Sequence, residues 1–347
     1  MRDLYQKVRD AMPKPVQSAM SRMVYALTSK PYVRKDNLDL QQKFPGTFTG
    51  GMVISADFEL AWAWRFAKQT NDPFRQGIEK ARQARENFPV LIKLCETFGI
   101  PVTWATVGAL FLKQTNKETF EPMTRIPHFE NVNWRFDQGD WYDGIPRTSW
   151  EKAKEWYAPD LIESLLSSGV NHEIGCHTFS HIDFTDNHCP AQVAEDEIRA
   201  CIEAAKPYGI KLESFVFPGG TLGNFSILKK HGIQIYRKSM GYDLGYPFID
   251  ETGLIVTDRG ECLEGREDHG WSDQYILKRF KKNIDKAIKT GTIVHFWFHP
   301  SMNPHPLQRL LPELFKYAAE KREKGQLWLG TMKQILDLRT LKTHNEN

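Results

Sequence analysis

From residue 52 onward, short apolar runs alternate with longer amphipathic stretches. Met52 to Ala56 is the first strong run, entered through Pro45-Gly46 and Gly50-Gly51, and it predicts a buried strand. Asp72 to Phe98 is charged with a stripe of Val90, Leu91, Leu94 and Phe98, which predicts a helix stopped at Gly99. Val102 to Val107 reads as the next strand. Strand, helix, strand in that order predicts a parallel βαβ unit. The alternation continues with helices over Pro159 to Gly169, Ala191 to Tyr208, Ser226 to His231, Gln274 to Thr290 and Leu307 to Lys324. Strands are expected over Glu173 to Cys176, Ser214 to Phe217, Ile233 to Tyr236, Leu254 to Thr257 and Thr292 to Phe298, with a last one over Gln326 to Leu329. This number of βα units suits a closed or nearly closed parallel barrel better than an open sheet.

Two stretches break the rhythm. Residues 113–150 are polar, Pro-bearing and rich in aromatics (Phe129, Trp134, Phe136, Trp141, Tyr142, Trp150). A connection of that length is functional or disordered, and its aromatic content argues against disorder. Residues 1–48 read as a helical extension and polar linker. Val16, Met20, Met23, Val24 and Leu27 recur at helical spacing, and the first 35 residues are basic. Such a helix suits peripheral contact with an anionic membrane surface, or packing on the domain or a partner. The expected division is therefore an extension over 1–48, a barrel over 49–338 and a polar tail over 339–347.

Composition narrows the class. Of 347 residues, 41% are hydrophobic and 26% charged, enough for a sizeable core. A net charge of +3 gives no general case for nucleic acid. Five Cys without a CxxC pair argue against a disulfide framework, and Cys176 reads as a small buried residue at a strand end. No 18-residue apolar run and no signal-peptide core are present, so a cytoplasmic location, with contact to the inner membrane face, is expected. The 10 Trp allow some to serve as platforms for sugar rings, Trp141 and Tyr142 among them.

The candidate chemistry gathers at strand ends. Asp57 and Glu59 follow the first strand, at a spacing that shares one face. His177 and His181 follow Glu173 to Cys176, Pro218-Gly219-Gly220 follows Ser214 to Phe217, and His299 closes Thr292 to Phe298. Two imidazoles, a carboxylate and a spare carboxylate can supply a divalent metal with an open position and a base beside it. The H-x3-H spacing means little alone: 11 His make one such pair nearly a chance event, and His295/His299 is a second. Catalytic groups of parallel barrels collect at the C-terminal strand ends, so the convergence carries more weight than any pair.

These residues resemble the polysaccharide deacetylases of the NodB-homology group, carbohydrate esterase family 4. Asn171-His172-Glu173-Ile174-Gly175-Cys176-His177-Thr178-Phe179-Ser180-His181 is similar to the signature G-H-E-I-G-x-H-[ST]-x-x-H. Gly99-Ile100-Pro101-Val102-Thr103-Trp104-Ala105-Thr106-Val107-Gly108 resembles the second strand of that family, and Ser214-Phe215-Val216-Phe217-Pro218-Gly219-Gly220 its R-x-P-x-G segment. His299-Pro300 resembles a variant ending.

The resemblance implies a distorted, TIM-like (β/α)7–8 barrel and a metal-dependent hydrolase of N-acyl amino sugars. Asp57 would be the base, Glu59, His177 and His181 the metal ligands, and His299 the acid. The metal would be zinc, with cobalt, nickel or manganese as alternatives. Gly219 is expected to help hold the oxyanion, and His295, on the same strand face as His299, competes with it for the acid's role or supports it. His172 is expected to be structural. Val216 stands where the family carries an Arg that fixes the base, with Arg237 or Arg259 as substitutes. Asp268-His269-Gly270-Trp271 is the weak candidate for a fourth motif. The expected function is N-deacetylation of an amino sugar for a surface polysaccharide, on a nucleotide-sugar or lipid-linked glycan. The alternatives are a deformylase or other C–N hydrolase, and a non-catalytic carbohydrate-binding barrel.

Overall fold

A computed structural model describes residues 44–238, 244–264 and 270–338, together with isolated positions between 12 and 23. The proposed amphipathic extension therefore lies largely, and the 339–347 tail entirely, outside the described residues.

Among the described residues twelve strands form, in chain order: β1 Gly50–Phe58, β2 Thr103–Thr106, β3 Phe129–Glu130, β4 Arg135–Phe136, β5 Glu173–Cys176, β6 Ser214–Val216, β7 Ile235–Lys238, β8 Leu244–Gly245, β9 Phe248–Ile249, β10 Ile255–Asp258, β11 Ile293–Phe298 and β12 Leu327–Gly330. The main sheet runs β8-β11-β1-β2-β5-β6-β7-β10-β9, with β12 against the start of β1. From β11 to β10 every pairing is parallel. The sheet curls until its ends meet: past β10, Gly260 N donates to His295 O (2.8 Å) and Leu263 N to Trp297 O (2.8 Å). The barrel expectation holds. The sequence reading did not anticipate the short strands β3, β4, β8 and β9 or a final helix at Met332–Ile335.

Side-chain alternation sorts the strands into two cores. Met52, Ile54, Ala56 and Phe58 of β1, with Phe296 and Phe298 of β11, face the surrounding helices. Val53, Ala105, Val216, Ile235 and Ile293 point into the barrel, where Met332 and Ile335 of the last helix close the lower end. Thr103 and Glu173 hold that plug by accepting from Met332 N and Lys333 N (both 2.8 Å). Above the apolar layer the inward positions turn polar: Ser55 and Asp57 on β1, Arg237 on β7, Thr257 on β10 and His295 on β11 are all buried.

The helix Pro73–Phe98 follows its sequence signals. Asp72 accepts from Arg75 N at its start, and Gly99 ends it at a left-handed φ of 59°. Its inner face is Ala81, Ala84, Phe88, Leu91, Ile92 and Cys95. Val90, expected inside, is 48% exposed, because it lies a third of a turn off that stripe. Among the described residues no helix is long and apolar enough to cross a membrane.

Candidate active site

The end of β1 and the loop after β5 converge. Glu59 is the first residue past β1, and Leu60 turns the chain at φ 49°. His177 leaves β5, and the loop to His181 contains two further left-handed residues, Thr178 (φ 58°) and His181 itself (φ 59°). Non-glycine residues reach that region at a cost, so something must hold the loop. Glu197, on the helix Ala191–Ala205, does so: its carboxylate accepts from Phe179 N (2.8 Å), Ser180 N (2.9 Å), Ser180 Oγ (2.6 Å) and Tyr142 OH (3.0 Å).

Glu59 Oε1 lies 3.0 Å from His177 Nε2 and 3.1 Å from His181 Nε2. His177 Nδ1 is 2.6 Å from Val216 O, and a carbonyl only accepts, so Nδ1 carries the proton and Nε2 presents its lone pair to Glu59. Two acceptors facing each other in a buried site need a positive charge between them, either a second proton on His177 or a metal ion. Two imidazole nitrogens and one carboxylate oxygen within 4.8 Å of one another fit a divalent metal of the zinc type. The carbonyl behind His177 is the outer-shell partner such ligands keep. Burial opposes the charge on Glu59, but His299, His181 and its contact with His177 hold its carboxyl well below the usual range.

Asp57 points into the barrel beside this cluster. Arg237 grips it in a two-pronged pair, Nη1 to Oδ1 and Nη2 to Oδ2, both 2.7 Å. Val216 of β6 is the register partner of Arg237 on β7. The cation missing from the third motif thus stands at the same height, one strand over. Burial penalises the Asp57 carboxylate, yet Arg237 and His177 keep its pKa below the ordinary value. Arg259, the other substitute considered, lies over the Trp297 ring at 4.8 Å instead.

His299 and His295 separate. The backbone N of His299 donates to Glu264 Oε1 (2.8 Å), and its Nδ1 lies 2.6 Å from the same atom, which leaves Nε2 turned toward the cluster, 3.9 Å from Glu59 Oε2. Burial lowers the His299 pKa, but Glu264 and Glu59 outweigh it and raise it to about 10. His295 is 1% exposed and sits below, 2.9 Å from Ser55 Oγ and 3.1 Å from Thr257 Oγ1. It has no path to a substrate, so its place is that of a supporting residue.

The aromatic insertion folds over the far side. Gly219 (φ 56°) lies so close to Trp134 that a Cβ there would stand 2.6 Å from Trp134 Cη2, and Asn133 Nδ2 donates to Gly219 O (3.3 Å). Trp134 also meets His181 edge-on at 5.5 Å. Trp141 is 2% exposed; its indole N–H donates to Ser180 O (3.0 Å) and its ring packs at a tilt against Phe66 at 4.6 Å. Both Trp141 and Tyr142 are buried in the wall behind the ligand loop, which corrects their reading as sugar platforms: neither offers an open ring face. His172 accepts from Val102 N (3.2 Å), a structural role.

Sequence reasoning had no signal for Glu264, which sits in an irregular segment. Arg237 was one of two candidates until strand register separated them. Of the weak fourth-motif candidate, Trp271 lies against Arg279 (4.3 Å), and Asp268 and His269 are outside the described residues.

The polysaccharide deacetylase family's sequence model matches residues 82–236, which contain His177, His181 and Val216. The match covers the span that carries the motifs; Asp57, Glu59, Glu264 and His299 lie outside it. No curated protein matches the sequence. Among solved structures, a putative polysaccharide deacetylase from Mycobacterium smegmatis superposes with a TM-score of 0.58 at 13% identity, over 86% of this chain and 95% of that one. A probable polysaccharide deacetylase from Pseudomonas aeruginosa PAO1 gives 0.58 at 13%, over 85% and 92%. A PuuE allantoinase gives 0.54 at 12%, over 85% and 91%. At these identities the likeness is one of fold.

Proposed function

We propose that this polysaccharide deacetylase domain hydrolyses the N-acyl amide of an amino sugar, with Glu59, His177 and His181 holding a divalent metal. The observation that carries the reading is the face-to-face placement of the His177 lone pair and the Glu59 carboxylate, beside a separately held carboxylate at Asp57. When bound, the metal would lower the pKa of a water toward about 7 and polarise the acyl carbonyl.

The protein's own groups supply the rest. Asp57 accepts the proton of the attacking water; with each oxygen held by Arg237, one lone pair on each remains for that task. Glu264 fixes the His299 ring through Nδ1, so Nε2–H faces the site and can protonate the departing nitrogen. The raised pKa keeps His299 charged at neutral pH, as a proton donor requires. The Gly219 turn is the candidate for holding the acyl oxygen, since a side chain there would collide with Trp134.

A second reading is hydrolysis of another C–N bond, including formamides and cyclic amides. It is favoured by the shared fold of a PuuE allantoinase, and the same groups serve it. Acetate and formate release from free, nucleotide-linked and lipid-linked amino sugars separates the readings. Acetate from one linked class supports deacetylation; formate alone supports the second reading. The altered third motif had favoured a non-catalytic barrel, but Arg237 supplies the missing cation. A cytoplasmic location, membrane-surface contact through residues 1–35 and a role in surface polysaccharide synthesis remain part of this proposal.

A further inference from the structure

We infer that His295 is a positioning residue that, as the neutral Nδ1–H tautomer, receives the Ser55 hydroxyl and thereby fixes the Arg237 fork on Asp57. The inference rests on the hydrolase reading above and adds three residues to it: Ser55, His295 and Thr257.

Four buried side chains lie in line beneath the proposed base. Arg237 Nη1 reaches Ser55 Oγ (2.7 Å) as well as Asp57; Ser55 Oγ lies 2.9 Å from His295 Nε2; His295 Nδ1 lies 3.1 Å from Thr257 Oγ1. They come from β1, β11, β10 and β7, so the chain spans the barrel at one level. Arg237 can only donate, so Ser55 Oγ accepts from it. Two polarities remain for the other links. If His295 Nε2–H donated to Ser55, the fully buried serine hydroxyl would lose Nε2 as its acceptor, and the imidazole dipole would point its hydrogen at a guanidinium. If Ser55 donates to Nε2, every hydrogen in the chain points away from Arg237, and the spare hydroxyl hydrogen falls on Thr257 at the far end.

The charged groups around His295 agree. Burial chiefly, then Arg237 and Arg259, disfavours a second proton against the opposing Asp57 anion, so the ring stays neutral. As an imidazolium it would donate at both nitrogens and turn a hydrogen on Ser55. The neutral ring thus sets the rotor of Ser55, and Ser55 sets the plane of the Arg237 fork. Small displacements of a reacting group cost as much as ~100-fold in rate.

The test has two arms on the full chain. Long-range 15N–1H spectra of 15N-His-labelled protein, with His295 assigned through its loss in H295Q, report the tautomer. The expected result is a neutral Nδ1–H ring; an Nε2–H ring or an imidazolium overturns the inference. In the second arm, H295L and H295Q are compared at matched metal content. H295L is expected to lower kcat by about 10- to 100-fold with KM within about twofold, while H295Q, whose Oε1 can still accept from Ser55, recovers most of it. Equal impairment of the two variants contradicts the inference. A wild-type enzyme with no amide-hydrolase activity refutes the functional reading alone, because the tautomer is measured without substrate.

Discussion

Arg237 stands in register with Val216, one strand over, and its guanidinium closes on both oxygens of Asp57. The barrel interior is indifferent to which strand supplies a cation, provided that its inward position lies at the right height. The departure of the third motif is therefore a relocation.

Relocation makes a reciprocal prediction. R237V leaves Asp57 buried without a partner, so stability should fall by about 3–5 kcal/mol and kcat by about 100-fold or more. V216R combined with R237V returns a guanidinium to the same level and should recover at least about tenfold of the lost kcat. Urea denaturation and steady-state kinetics on the three proteins check this; a double variant no better than R237V shows that the height of the cation is not what matters.

Metal affinity should follow the loop that presents His177 and His181. Glu197 holds Phe179 and Ser180 from behind, and two residues of that loop are left-handed. E197A should weaken zinc binding by about 10- to 100-fold, as loss of outer-shell support does, whereas H177A abolishes it. Metal titration by calorimetry reads both.

The His299–Glu264 pair predicts a direction in pH. His299 has a folded pKa near 10 against an ordinary 6.5, raised against burial chiefly by Glu264 and then Glu59. A raised pKa stabilises the fold fully below about 6.5 and loses that contribution as pH rises through about 10. About a quarter of the ring remains exposed, so solvent screens the pair. E264Q should move the alkaline limb of kcat/KM toward lower pH with the acidic limb unchanged. An unmoved alkaline limb would show that His299 is not the acid.

Gly219 and Trp134 make a packing prediction. A side chain at residue 219 meets the Trp134 ring and must adopt a φ of 56°, so G219A should cost about 1–3 kcal/mol by overpacking. Adding W134A removes the ring contact, leaving the backbone strain and the 2.8 Å approach to Asn133 Nδ2. Thermal melts of G219A with and without W134A distinguish the two terms.

Much of this arrangement was legible along the chain. The alternation of runs placed the principal parallel strands to within two residues at each end, and the residues at the ends of β1, β5 and β11 pointed to Asp57, Glu59, His177, His181 and His299, which the fold brings together. What stayed hidden depended on three-dimensional register. Arg237 lies in Ile-Tyr-Arg-Lys, an ordinary strand end until β6 is laid beside it. Glu264 follows an irregular turn, and the polar chain Ser55–His295–Thr257 joins residues about 40 to 240 positions apart. Trp141 misled because an aromatic in a long polar stretch suggests a surface, and here the stretch folds its aromatics into the main core.

The central claim is that metal held by Glu59, His177 and His181 serves hydrolysis of an amino-sugar amide. The most direct measurement is acetate release by the zinc-loaded protein from linked N-acetyl amino sugars, before and after chelation and again after zinc is restored. Release that stops on chelation and returns with zinc is the predicted result. Release that continues in metal-free protein, or no release from any substrate by protein with zinc bound at His177, would contradict it.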